Sequence, residues 1–181
     1  MKRYDGEKGA TMVEIVMILG ILGAFTISIA TLITSMYDRY RVSRVCGQVE
    51  EFKKLINNRY VADGRYNYAS VENIINEGIA PKDMVSGKKL YHSYNGEVTV
   101  TGASDSYEIT FADLPQKVCI ELGILNWTVD NSSDLVSLDI NGKSFKWPWT
   151  AGTGNKLPAQ MTDVAAACKD GNKNVVKWNF Q

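Results

Sequence analysis

Apolar residues follow three patterns along this chain. From Ile15 to Met36 they run without a charged residue, and the next charge is Asp38. That run is about 22 residues, roughly 33 Å as a helix, enough to cross a bilayer core. From Val42 the pattern becomes one-sided. Val42, Val45, Val49, Phe52, Leu55, Ile56 and Tyr60 recur at spacings of three and four, with Arg39, Arg41, Arg44, Glu50, Glu51, Lys53 and Lys54 at other positions. This predicts an amphipathic continuation of the same helix, one face on a core. Asp63-Gly64 is a stop signal, so one helix is expected from about Thr11 to Ala62.

The third pattern is strand-like. Residues 65–95 read as loop, apart from a small helix capped by Ser70, carrying Val71, Ile74 and Ile75 and ending at Gly78. Val98 and Val100, then Tyr107, Ile109 and Phe111, alternate as strands. Asp113-Leu114-Pro115 reads as a helix start and Gly123 as its end. Val136, Leu138 and Ile140, then Asn141-Gly142, then Phe145 and Trp147, predict a hairpin. A short helix is expected from Pro158 to Cys168, and Val176, Trp178 and Phe180 form a last strand. By itself this layout gives an α+β fold of one helix and a sheet.

Composition narrows the function. The 181 residues carry 20 Lys and Arg against 20 Asp and Glu, so net charge gives no general pull toward nucleic acid. The single histidine, His92, with scattered acids makes no zinc set. Gly102, Gly152 and Gly154 lie in no phosphate-loop motif, and no cofactor site or enzyme constellation is present. A Cys-His nucleophile pair would need a free thiol, which is disfavoured outside the cytoplasm. Trp147-Pro148-Trp149 is a candidate adhesive patch, with aromatic core at a strand end as the simpler reading. Asn126-Trp127-Thr128 and Asn131-Ser132-Ser133 fit the glycosylation pattern but carry little weight.

The start of the chain holds the most specific signal. MKRYDGEKG is short, polar and net basic, and Lys2, Arg3 and Lys8 favour a cytoplasmic location. Ser28-Ile29-Ala30 fits a signal-peptide cleavage site, yet the apolar run continues through Leu32 and Ile33. Glu14 stands at the mouth of that run, where a carboxylate is costly in hydrocarbon. Lys8-Gly9, a small residue, Thr-x-x-Glu and a long apolar helix resemble a type IV prepilin. The pair of glycines in Ile18-Leu19-Gly20-Ile21-Leu22-Gly23 is most similar to type IVb pilins. Ala10 stands where many family members have Phe or Met, and no proline interrupts the apolar helix.

The resemblance implies the type IV pilin fold, a long N-terminal spine helix packed on an antiparallel sheet. It implies a leader at 1–9, a transmembrane and filament-core half of the helix at 10–37, and a globular head at 38–181. A dedicated peptidase would cut between Gly9 and Ala10 and methylate Ala10. Glu14 would then pair with the new α-amino group of a neighbouring subunit; the simpler alternative is a favourable helix-dipole position. Gly20 and Gly23 would allow close packing or local unwinding, unless they are a generic small-residue face.

The implied partners are copies of itself, minor pilins, the prepilin peptidase and N-methyltransferase, the inner-membrane assembly platform and the membrane. The location would be the inner membrane, head periplasmic, and then an extracellular pilus serving adhesion, aggregation, motility or DNA uptake. A type II secretion pseudopilin shares the N-terminal motif but usually lacks a disulfide-closed C-terminal region. A membrane-anchored periplasmic binding protein is the third class. Cys46, Cys119 and Cys168 allow three single pairings. Cys46 falls between core-facing Val45 and Val49, where a small buried thiol packs well. Cys119 and Cys168 lie on the two short helices, and their pairing is also what the resemblance implies. Cys46 with Cys119 is the alternative.

Overall fold

The computed structural model describes residues 11–60, 66–127, 134–147 and 155–181, without the side chains at 28, 30, 31, 34 and 35. Helix α1 spans Met12–Tyr60. By backbone proximity the chain divides into two units, Met1–Tyr40 and Arg41–Gln181. The second unit contains, in order, α2 (Val71–Asn76), β1 (Val85–Ser86), β2 (Lys89–Tyr91), β3 (Glu97–Gly102), β4 (Tyr107–Leu114), α3 (Gln116–Ile124), β5 (Leu135–Ile140), β6 (Lys143–Lys146), β7 (Asn155–Lys156), α4 (Met161–Ala167) and β8 (Asn174–Phe180). Among the described residues these strands form one sheet in the order β1-β2-β3-β4-β8-β5-β6-β7. Every pairing is antiparallel except β6 with β7, which is parallel.

The core is made by one ridge of α1 and one face of this sheet. Val45, Val49, Phe52, Ile56 and Tyr60 are buried, and so are Tyr107, Ile109, Phe111, Val176, Trp178 and Phe180. Alternation fixes which side chains take part: β4 and β8 bury every second residue, leaving Glu108, Thr110, Val175, Lys177 and Asn179 on the other face. The last strand therefore lies in the middle of the sheet, between β4 and β5. Leu55, expected on the ridge, is half-buried, while Gln48, a polar residue, is fully buried.

Local signals explain most of the remaining elements. Ser70 caps α2 by accepting the Asn73 backbone N–H, and Gly78 follows the helix at φ +69°. Asn141 and Gly142 both have positive φ, 53° and 90°, which matches the right-handed twist of the β5–β6 hairpin.

Several expectations are corrected. The segment 65–95 is not only loop and helix: it holds β1 and β2, of two and three residues, too short to alternate visibly. Asp113 and Leu114 do not start a helix. They end β4 at a register shift against β8, with Asp113 at φ +56°, and the helix begins at Gln116 after Pro115. Gly123 does not stop α3, which continues to Ile124. The last helix is shorter than expected, with Cys168 at its C-cap. The Asp63-Gly64 stop lies outside the described residues.

Gly123 has a packing reason instead. A Cβ there would collide with Val164 of α4 and Ile140 of β5. Replacing Gly123 by Ala should destabilise the protein by about 1–3 kcal/mol through overpacking. The denaturation midpoint of the full chain in detergent micelles, against wild type, measures this; an unchanged midpoint would show that α4 yields freely.

Candidate functional site

Two regions carry the candidate functional residues. The first is the N-terminal part of α1. Thr11 Oγ1 accepts the backbone N–H of Glu14 at 3.3 Å, and Thr11 O accepts that of Ile15 at 3.1 Å. Thr-x-x-Glu thus occupies the N-cap and N3 positions, with an acid near the positive end of the helix dipole. Glu14 is exposed. So are Met12, Val13, Ile15, Val16, Met17, Ile18, Leu19, Ile21, Leu22 and Phe25, which surround the helix on all sides. A helix apolar all round requires an apolar environment. An ideal Cβ at Gly20 or Gly23 would meet nothing within 4 Å, so both leave the backbone bare on this surface. Gly9 and Ala10 lie outside the described residues. Among the described residues no helix is long and apolar enough to cross a membrane.

The second region is the C-terminal part of the head. Cys119 of α3 and Cys168 at the end of α4 form a disulfide across a sequence separation of 49. Both are buried. Beside it lies an amide pair that sequence reasoning missed. Asn174 is wholly buried, and its Nδ2 donates to Leu114 O and Lys169 O at 3.0 and 2.9 Å. Its Oδ1 accepts from Asn141 Nδ2 and from the Lys169 amide, at 2.8 and 2.6 Å. Asn141 also donates to Ala167 O and accepts the Val175 N–H. Asn141 is thus more than a turn residue: it ties the hairpin to the end of α4 and the start of β8. No periodicity signals such a pair; the Asn-Gly dipeptide showed only the turn.

Cys46 is half-buried rather than buried; it packs against the core without a bridge. Burial, then Glu121 and Glu50, push its thiol up to about 11, so it stays protonated and weakly nucleophilic. His92 is buried, and desolvation holds its imidazole below the ordinary value. Trp127 packs edge-on to Trp178 at 5.5 Å and donates to Leu122 O. Trp147 is 38 % exposed, and Pro148 and Trp149 lie outside the described residues, as do Thr128 and 131–133. Among the described residues no group of three or more His, Cys, Asp or Glu could hold a metal.

A long N-terminal helix whose second half packs on an antiparallel-rich sheet closed by a C-terminal disulfide defines the type IV pilin class of fold. A type IV b pilin from Salmonella typhi superposes with a TM-score of 0.53 and 19% identity, over 75% of this chain and 99% of that one. TcpA, a type IV pilin from the Vibrio cholerae El Tor biotype, superposes with a TM-score of 0.52 and 10% identity, over 78% of this chain and 99% of that one. A comparison with curated proteins gives no significant match. The family model described as PilS N terminal matches residues 41–180, and the chain belongs to that family. Its fold is that of the type IV pilins, the class to which both of these solved structures belong.

The disulfide sets an expectation for stability. Closing about 50 residues restricts the unfolded chain by about 4 kcal/mol in the entropy model. The double change Cys119→Ser, Cys168→Ser should lower unfolding free energy by about that much, whereas Cys46→Ser, at a half-buried unbridged thiol, should cost less than about 1.5 kcal/mol. Denaturant titration of the three proteins checks the contrast; an equal loss in both variants would contradict it.

Proposed function

We propose that this chain is made as a prepilin, cut after Gly9, methylated at Ala10, and assembled as a repeating subunit of a cell-surface type IV pilus. Before assembly, residues 10–37 hold it in the inner membrane with the head, 38–181, on the periplasmic side. The reading is supported above all by one observation: apolar side chains are exposed around the whole circumference of α1 over its first turns, with one acid, Glu14, at their start. Such a surface needs hydrocarbon before assembly and other apolar helices afterwards. The uncharged stretch Ile15–Met36 supports membrane residence by its length. Gly20 and Gly23 serve close helix packing in the filament. The filament's partners are further copies, minor pilins, the peptidase and the assembly platform. Its activities are adhesion, aggregation, motility or DNA uptake. The Cys119–Cys168 bridge favours a pilus over a secretion pseudopilus.

Glu14 has two separable uses. At N3 it can complete a capping box, which Gln serves equally well. In a dry bundle its charge needs a cation, supplied by the α-amino group that cleavage creates on a neighbour. Leaving that amine unpaired costs about 3–5 kcal/mol per subunit.

Intact mass of sheared surface filaments should therefore correspond to a chain starting at Ala10 with one added methyl group. Glu14→Gln should keep normal protein level but reduce filaments by more than about tenfold, an effect well within the cost of an unpaired buried charge. An uncut Met1, or a start at Thr31, overturns the processing. Normal piliation by Glu14→Gln overturns the charge pair and leaves capping as the role of Glu14.

A further inference from the structure

A second buried, fully engaged polar group in the head is His92, at the start of the turn between β2 and β3. Its ring is 2 % exposed and stacks on Phe111, with centroids 5.4 Å apart and planes 7° off parallel. Both ring nitrogens are engaged. Nδ1 accepts the Tyr94 backbone N–H at 3.1 Å, so Nδ1 carries no proton. Nε2 faces Ala112 O at 2.7 Å, and a carbonyl only accepts, so Nε2 carries the proton. One neutral tautomer fits and the imidazolium does not. Gly96 closes the turn against the ring, where any Cβ would strike both the imidazole and Ala112 O.

That turn is also what attaches this end of the sheet to α1. Arg41 donates twice to Ser93 O, at 3.1 and 2.6 Å, and lies 4.0 Å from the Tyr94 ring centroid. Buried Gln48 accepts the Ser93 N–H and hydroxyl at 3.2 and 3.1 Å, and donates to Asp83, which Arg44 also binds. Four helix-to-turn hydrogen bonds thus converge on Ser93, the residue next to His92.

We propose that His92 is an acid-opened latch: a proton on Nδ1 displaces the Tyr94 amide, releases the Ser93–Gly96 turn, and frees the Arg41 and Gln48 face of α1. The groups around the ring set its poise. Asp113, beyond Ala112 on β4, favours the charged form, and Arg41 on α1 opposes it. Asp83 and Tyr91 line the cleft on which His92 also borders. Desolvation is the largest effect and disfavours charge. The folded value therefore lies below the unfolded 6.5. The neutral ring contributes its stability in full above that unfolded value, and the contribution is lost as pH falls through the folded value. Asp83 is held below its ordinary 3.8 by Arg44 and Gln48 against the opposing effect of burial, so the helix side of the latch keeps its charge in mild acid.

The test is hydrogen exchange of the full chain in detergent micelles at about pH 7.5 and about pH 4.5, each rate divided by its intrinsic chain rate. Protection at Tyr94–Gly96 should fall by at least about tenfold in acid, while the β4–β8 ladder keeps its protection. In His92→Gln, which cannot titrate, protection of the turn should not change with pH. Unchanged protection in wild type, or an equal fall in His92→Gln, overturns the proposal. Should His92→Gln not fold, the wild-type ring decides: its ¹⁵N signals should pass from the Nε2–H tautomer to imidazolium in step with the Tyr94 amide shift. A ring that stays neutral through the acid range, or titrates while the amide is unmoved, overturns it equally.

Discussion

Burial of the α1 ridge against the sheet is the contact on which the head depends. Val45, Val49, Phe52, Ile56 and Tyr60 are removed from water together. Each such side chain contributes about 1.5–3 kcal/mol of apolar burial before entropy is counted. Among the described residues of the head no other helix could replace this face, since α2, α3 and α4 span six, nine and seven residues. Isolated helices of that length are marginal in water. Their shape is imposed by what they pack on, and α3 and α4 are locked further by the close approach at Gly123 and by the disulfide.

The same helix meets a different requirement before Arg41. There its apolar residues are not arranged in a stripe, and no single face distinguishes inside from outside. One continuous helix therefore carries two surface codes: apolar in every direction first, then apolar on one side only. A monomer in water satisfies only the second. The first code calls for an apolar environment that the head does not supply.

Elements with internal periodicity or a local turn code were legible in the sequence. The ridge of α1, the Ser70 cap, the Asn141-Gly142 hairpin and the alternation of β8 all declare themselves within a few residues. Elements that depend on distant partners were not. β7 is two residues long and exists because β6 lies beside it. Asp113 carries a helix-start signature, but its backbone is taken by a bulge that pairs Leu114 with Asn174, sixty positions away. Gln48 reads as one more polar residue on a helix, yet its partners are 35 and 45 positions away. Of the N-terminal site, the acid, the glycines and the apolar run were all visible as a motif. A function for that motif comes only from resemblance, because spacing alone does not say what covers an exposed helix.

The disulfide and the Asn141–Asn174 pair act on the same segment by different means, and each makes the other useful. The bridge acts mainly on the unfolded chain: it shortens the search between α3 and α4 but does not dictate how the hairpin meets β8. The amide pair acts only in the folded state. It satisfies the backbone groups of Leu114, Ala167, Lys169 and Val175 at the junction of four elements. An Asn→Ala change at either position would leave several of these groups buried without a partner, a cost near that of losing a core side chain. Register in this part of the sheet therefore comes from hydrogen bonding, and its durability from the covalent link. Among the described residues, short helices and a hairpin are thereby held in one register against β8.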